Sequence, residues 1–329
     1  MQILENSLTN EEVDNLKQLA LKARSAILHM TTLAASGHPG GSMSTLDMLL
    51  TLYKIINVDP TNPKKEDRDI VIVSHGHVSP AVYSTLALNG FFKLDDAISQ
   101  FRLAGSIFEG HIEPDVPGVE WATGNLGQGL SAGIGFALAK RVKNLPGNVY
   151  VLMGDGEQQK GQLAEARRFA VKYNLTNLIA FVDYNGLQIS GKTTNVMPQN
   201  IKDNYLSDGW NIIEIDGHNY CEIQQAIIEA QKADKPTVII ANTVMGKSVS
   251  FMENKEKYHG SAISEEQLVQ ALQELGQEDK LDYYKKLRNE FIPKVNHSAV
   301  PVDFTVKTGN NILYDKPNGN REAWGNALA

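Results

Sequence analysis

The chain is poor in cysteine. Cys221 is the single one among 329 residues, which excludes an intrachain disulfide and a multi-cysteine metal site. Long apolar runs are missing as well. No uninterrupted stretch approaches the ~20 residues that a membrane helix needs. The N-terminus has no basic segment leading into an apolar one, as a secretion signal would have. Positive charge is in deficit: the net charge is −7 and the isoelectric point about 5.7, which points away from nucleic acid and anionic membranes. No Gly-x-Gly-x-x-Gly follows the first apolar strand, which argues against a nicotinamide dehydrogenase. No internal repeat is evident. A cytoplasmic protein is expected.

What is present is an ordinary globular share of apolar residues, 42%, in a chain long enough for one large α/β domain or two small ones. Thr9-Asn10-Glu11-Glu12 has the form of a capping box. Leu16, Leu19, Ala20, Ala23, Ile27 and Met30 recur behind it at helical spacing, so a long amphipathic helix opens the fold. Gly37-His38-Pro39-Gly40-Gly41 reads as a turn, too rich in glycine and proline to be helical. A second helix is expected from Ser44 to Ile56. Buried strands are read at 70–74, 149–153, 177–183, 211–215 and 236–242. Helices are read at 80–89, 95–103, 130–142, 163–171 and 220–232. Strands alternating with helices imply a doubly wound, mainly parallel sheet flanked by helices. From Ser264 the texture changes. A polar helix runs to Gln277 and a second through Arg288. Asn289 to Asn320 is rich in Pro, Asn, Gly and Lys and reads as an extended arm. The end, 321–329, turns helical again.

Chemistry concentrates where the run Val149–Met153 breaks into Gly154-Asp155-Gly156-Glu157. Two glycines let the backbone turn sharply and approach a ligand. The carboxylate between them stands at the carboxyl end of a strand, where open α/β sheets bind ligands. The next strand, 177–183, runs into Tyr184-Asn185-Gly186-Leu187, about thirty residues on. Asn185 offers an amide oxygen and the chain after it backbone carbonyls. Mg²⁺ or Ca²⁺ takes roughly six oxygens of this kind, and a diphosphate supplies the remaining charge. Gly-Asp-Gly alone is most often a turn. Two such segments at successive strand ends make a site for a metal and a phosphate group.

This pair resembles the thiamine diphosphate motif. The sequence around it, from about Leu16 to Ser261, is similar to the N-terminal, diphosphate-binding half of the transketolase family. The resemblance implies the thiamine diphosphate-binding fold, with a diphosphate-binding (PP-type) domain over 1–263, a helical segment and linker arm over 264–320, and the start of an otherwise absent pyrimidine-binding domain at 321–329. It implies a transferase of the pentose phosphate pathway. That enzyme passes a two-carbon ketol unit from a ketose phosphate to an aldose phosphate, held meanwhile on the cofactor as a dihydroxyethyl group. The cofactors implied are thiamine diphosphate and Mg²⁺, with Ca²⁺ or Mn²⁺ as substitutes. Asp155, Asn185 and the backbone oxygen of Leu187 would hold the metal.

Four histidines fall in family motifs. His38 lies in Ser36-Gly37-His38-Pro39-Gly40. His77 lies in Ser74-His75-Gly76-His77, His111 in Gly110-His111-Ile112-Glu113 and His259 in Tyr258-His259-Gly260. The resemblance makes all four catalytic, with His77 and His259 also reaching the diphosphate and His111 the donor's C1 hydroxyl. Histidine suits repeated proton transfer to sugar oxygens because its ordinary pKa is about 6.5. His75 stands where the family has asparagine and is read as structural. Gly124-Asn125-Leu126-Gly127-Gln128-Gly129 resembles the loop on the aminopyrimidine side, so Gly124, Asn125 and Leu126 join Gly156 in binding the cofactor. Glu165 matches a family glutamate near the cofactor at the subunit boundary. Lys160 replaces a common glutamate of a carboxylate network. Met245-Gly246-Lys247-Ser248 resembles a substrate-side lysine loop.

The family's activating glutamate and its phosphate-binding basic groups belong to the pyrimidine-binding domain. The resemblance therefore implies a split enzyme, with a separate C-terminal subunit in an α2β2 assembly, in preference to a truncated chain. The alternatives are a half of another thiamine diphosphate enzyme, such as a deoxyxylulose-phosphate synthase, a transketolase for unusual sugars, or a non-catalytic cofactor-binding module.

Overall fold

The computed structural model describes residues 7–293, Tyr314 and 319–328. The chain divides into two compact units, 1–293 and 294–329. In chain order the first unit contains α1 (Asn10–Leu33), α2 (Pro39–Ile55), β1 (Ile70–Val73), α3 (Ser79–Leu88), α4 (Leu94–Gln100), α5 (Gly129–Val142), β2 (Val149–Gly154), α6 (Gly161–Lys172), β3 (Leu178–Tyr184), the short pair β4 (Leu187–Gln188) and β5 (Gly191–Lys192), α7 (Thr193–Val196), α8 (Ile201–Ser207), β6 (Asn211–Asp216), α9 (Tyr220–Lys232), β7 (Thr237–Asn242), α10 (Glu265–Leu275) and α11 (Leu281–Glu290). In the second unit, Asn320–Leu328 form α12. The arm expected over 289–320 lies, past Pro293, largely outside the described residues.

Five strands form one all-parallel sheet in the order β1-β2-β3-β7-β6. Successive side chains of a strand point to opposite faces, and here both faces are dry. Val71, Val73, Tyr150, Leu152, Ile179, Phe181, Ile239 and Ala241 pack into a core shared with α1, α2, α3 and α9. Their neighbours Ile70, Ile72, Val149, Val151, Met153, Ala180, Val182, Val238 and Ile240 pack into a second core with α5, α6 and α8. Burial on two faces is why these strands read as continuous apolar runs without alternation. The expected doubly wound, mainly parallel sheet flanked by helices is the architecture found.

The capping box at α1 forms: Glu12 N–H donates to Thr9 Oγ1 at 3.2 Å, and Thr9 N–H to Glu12 Oε2 at 3.0 Å. One expectation fails. Pro39, Gly40 and Gly41 are not part of a turn but the first residues of α2. Proline is favoured at the first helical position, where its missing N–H is not needed. Gly40 is required by packing, since a Cβ there would meet Tyr258 O at 2.7 Å. The pair β4–β5 and helices α7 and α8 were not anticipated, being too short for periodicity to reveal. Helices α10 and α11 pack on α1 and α4, where Lys280 N–H donates to buried His29 Nε2 at 3.1 Å. Among the described residues no helix is long and apolar enough to cross a membrane.

Candidate active site

The parallel register sets Gly154 at the end of β2 beside Asp183 near the end of β3. Asp155 and Asn185 therefore leave adjacent strands at the same edge of the sheet. Gly186 N–H donates to Asp155 Oδ2 at 2.6 Å, and Leu187 N–H to Asn185 Oδ1 at 3.0 Å. Asn185 Nδ2 donates to Ser44 Oγ at 3.2 Å. Ser44 and Thr45, in the second turn of α2, both donate to Asp183 Oδ2 at 2.6 Å, and Thr243 to its other oxygen. A buried carboxylate thus fastens β3 to α2 behind the edge.

Asp155 is 4% exposed. Burial and the neighbouring Asp183 carboxylate push its carboxyl up to about 7, offset only by backbone N–H groups. A buried acid with a second acid beside it and no cation among its stabilising partners suits a bound cation, which would restore the ionised form. Among the described residues no group of three or more His, Cys, Asp or Glu could hold a metal. An ion here needs oxygens beyond the carboxylate, from amide, carbonyl and ligand, as the donor set of Asp155, Asn185 and the Leu187 carbonyl would provide.

The four histidines come from four segments and meet. His38 caps the start of α2, His77 lies in the 3-10 turn Gly76–Val78 after β1, His111 lies in the loop before α5, and His259 ends the 3-10 turn Glu256–His259. The His38 ring centre is 4.9 Å from that of His77, 6.0 Å from His111 and 5.8 Å from His259. His77 and His259 are 5.2 Å apart. Among the described residues, Nδ1 of His38 and Nδ1 of His259 are buried without a hydrogen-bond partner. Buried polar atoms are normally satisfied, so these two are free to take a hydrogen bond from a ligand.

Burial and mutual repulsion keep the cluster neutral. His38 falls to about 4 through burial, His259, Arg102 and His111. His77 is held well below its ordinary value by burial and by His75, His38, His259 and His111. His111 is lowered by burial and Arg102, and His259 by burial and His75. His75 itself is buried in the core, Nδ1 at 3.1 Å from Leu152 O and Nε2 at 3.0 Å from Thr45 Oγ1.

Gly124 and Asn125 are exposed, and Leu126 half-buried, at the mouth of the loop before α5. A Cβ on Gly124 would meet nothing within 4 Å. Gly156 follows Asp155, where a Cβ would have ordinary contact with Gln188 at 3.4 Å. Glu165 is not brought into the cluster. It is exposed on α6, as is Lys160 just before that helix. Lys247 sits in a loop held against the His38 turn, where Gly246 N–H donates to Gly40 O at 3.0 Å.

Sequence reasoning missed two charged residues. Arg102 Nη1 donates to Ser36 Oγ at 2.8 Å, and its Nε is buried without a partner among the described residues. A lone arginine in Phe-Arg-Leu carries no signal of this. Glu157 directly follows the Gly-Asp-Gly turn, yet nothing in its type marked it as buried.

Comparison with known proteins bears on this geometry. The family described as transketolase, thiamine diphosphate binding domain, matches residues 16–300. The chain is 40% identical over 246 residues to the 6-deoxy-6-sulfo-D-fructose transketolase subunit SqwG of a Clostridium species, covering 74% of this chain and 89% of that one. It is 37% identical over 271 residues to one subunit of the apulose-4-phosphate transketolase of Phocaeicola vulgatus, covering 81% and 95%. Transketolase 2 of Escherichia coli is 37% identical over 274 residues, with 79% of this chain but 41% of that protein covered. The solved transketolase of Campylobacter jejuni superposes with a TM-score of 0.77 at 32% identity, over 84% of this chain and 47% of that one. The chain thus spans nearly all of the two subunits and less than half of the other two transketolases.

Proposed function

The chain belongs to the transketolase family, and from that premise we propose that it is the cofactor-binding subunit of a two-subunit transketolase. It acts with a separate subunit that carries the pyrimidine-binding domain, in an α2β2 assembly. It moves a two-carbon ketol unit between sugar phosphates, in the cytoplasm and as part of pentose phosphate metabolism. The observation that carries this is the meeting of His38, His77, His111 and His259, together with the paired strand ends that carry Asp155 and Asn185. Coverage of 89% and 95% of two proteins named as subunits supports the division into two chains.

Asp155, Asn185 and the Leu187 carbonyl would hold Mg²⁺, and its charge would complement a diphosphate at the sheet edge. Gly156 contributes its backbone there, and Gly124, Asn125 and Leu126 border the pyrimidine end. When bound, thiamine diphosphate would supply a thiazolium carbon as nucleophile and its cationic ring as electron sink for cleavage beside a carbonyl. The protein's share is positioning and proton movement. A neutral imidazole can take a proton from a sugar hydroxyl at one nitrogen and return it to an alkoxide later. The depressed values of all four histidines keep them in that form at neutral pH. His111, from the loop before α5, faces the donor's C1 hydroxyl. His77 and His259 would serve both the diphosphate and the sugar. Glu165, exposed on α6, meets the second chain of the assembly near the cofactor.

Mixing the chain with its C-terminal subunit, Mg²⁺ and thiamine diphosphate should give ketol transfer from xylulose 5-phosphate. Full turnover by the isolated chain would refute the two-subunit reading. A second reading, favoured by the names of the two subunit relatives, is a donor outside the common pentose and hexose phosphates. Offering sulfonated and branched ketoses to the same mixture decides between them.

A further inference from the structure

Glu157 is 2% exposed and forms no ion pair among the described residues. Its carboxylate instead collects three donors, two from distant segments and one from the strand end just before it. Gly127 N–H donates to Oε2 at 2.6 Å and Ser74 Oγ–H to the same oxygen at 2.6 Å. Gly154 N–H donates to Oε1 at 2.9 Å. Ser74 Oγ in turn accepts from Gly129 N–H at 3.1 Å. The segments are the end of β1, the loop 124–129 and the end of β2. They approach so closely that glycine is needed: a Cβ on Gly129 would meet Ser74 Cβ at 2.4 Å, and one on Gly127, whose φ is +84°, would meet Lys160 Cβ at 2.7 Å.

We propose that Glu157 is a positioning residue whose carboxylate holds the pyrimidine-side loop in register with the Gly-Asp-Gly turn, so that both ends of the cofactor find their partners at once. This rests on the reading of these segments given under the proposed function. Only a carboxylate serves the joint. It accepts on both oxygens, and its hydrogen bonds to N–H groups are charge-assisted. Glutamine keeps the shape but turns one acceptor into a donor facing another N–H. Aspartate is one methylene too short to reach all three.

The test has two parts. In the free full-length chain, Glu157→Gln should speed hydrogen exchange at Gly127 and Gly129 while the amides of β3 and of residues 149–153 in β2 keep their protection, a local pattern that general destabilisation would not give. In the complex with the C-terminal subunit and Mg²⁺, loss of two charge-assisted bonds should weaken thiamine diphosphate by about 10- to 100-fold. Inorganic pyrophosphate, which has the diphosphate end alone, should weaken by less than about 3-fold, because the register between the two ends is what is lost. Ser74→Ala keeps the carboxylate and removes one link. It should shift thiamine diphosphate in the same direction by a smaller step, and it carries the test if the glutamine variant does not fold. Equal weakening of both ligands, or wild-type affinity and exchange in both variants, overturns the proposal alone. A wild-type complex that does not bind thiamine diphosphate refutes the functional reading and this proposal together.

Discussion

Asp155→Asn should make the cofactor-free chain more stable while depriving it of its metal. Burial and Asp183 raise the Asp155 carboxyl from 3.8 to about 7 in the folded chain. At low pH the group is protonated in both states and has no effect. As pH rises from about 4 toward 7 the unfolded chain releases its proton and the folded chain does not, so stability falls over that window. Above pH 7 the loss reaches its ceiling. A rise of three units at 1.36 kcal/mol each corresponds to about 4 kcal/mol, and relaxation around a buried acid reduces this to about 2–4 kcal/mol. Asparagine has the same size, still accepts from Gly186 N–H and does not titrate. Urea unfolding with a chelator present, at pH 5 and pH 8, is the assay. The variant should be the more stable chain at pH 8, with its advantage smaller at pH 5 by about 2 kcal/mol. A variant less stable than wild type at pH 8, or an advantage independent of pH, would show that Asp155 is not held under electrostatic stress and remove the reason for a cation there.

Other outcomes are expected. In the free chain the His38 ring should stay neutral down to about pH 5 by NMR, because its folded value is about 4; the stability this group contributes is present above 6.5 and lost as pH falls through 4, and a titration midpoint near 6.5 would contradict the burial and repulsion described. Gly40→Ala forces a Cβ against Tyr258 O at 2.7 Å and should cost about 1–3 kcal/mol in urea unfolding, whereas a neutral result would mean the α2 start has room that the packing denies. His111→Ala should lower ketose turnover by about 10²-fold or more while leaving cofactor affinity within a few-fold; a pure affinity defect would move His111 from the sugar to the cofactor.

Much of this architecture was legible because its strands are buried on both faces. Ile70–Val73 and Val149–Met153 are short, unbroken apolar runs rich in β-branched residues, the pattern of strands covered on both faces. The site was legible where short motifs are dense. His38, His77, His111 and His259 were each read within four or five residues of local pattern, and the fold brings their rings within about 4.9–6.4 Å of one another along the contacts that form. The helical start at Pro39-Gly40-Gly41 was misread because composition alone favours a turn, and only the approach of Tyr258 from more than two hundred residues away explains the glycine. Glu157 and Arg102 were missed for the same reason. Their roles depend on donors and rings supplied by remote segments, and a single acidic or basic residue looks the same in a sequence whether it is solvated or buried.

Thiamine diphosphate binding to the complex of this chain with its C-terminal subunit, titrated in Mg²⁺ and again in chelator, probes the paired strand ends most directly when wild type is set beside Asp155→Ala and Asn185→Ala. Tight binding that needs Mg²⁺ in the wild type and is lost in both variants is the expected result. Affinity that ignores the ion, or survives either substitution, would contradict a metal-anchored diphosphate at this edge.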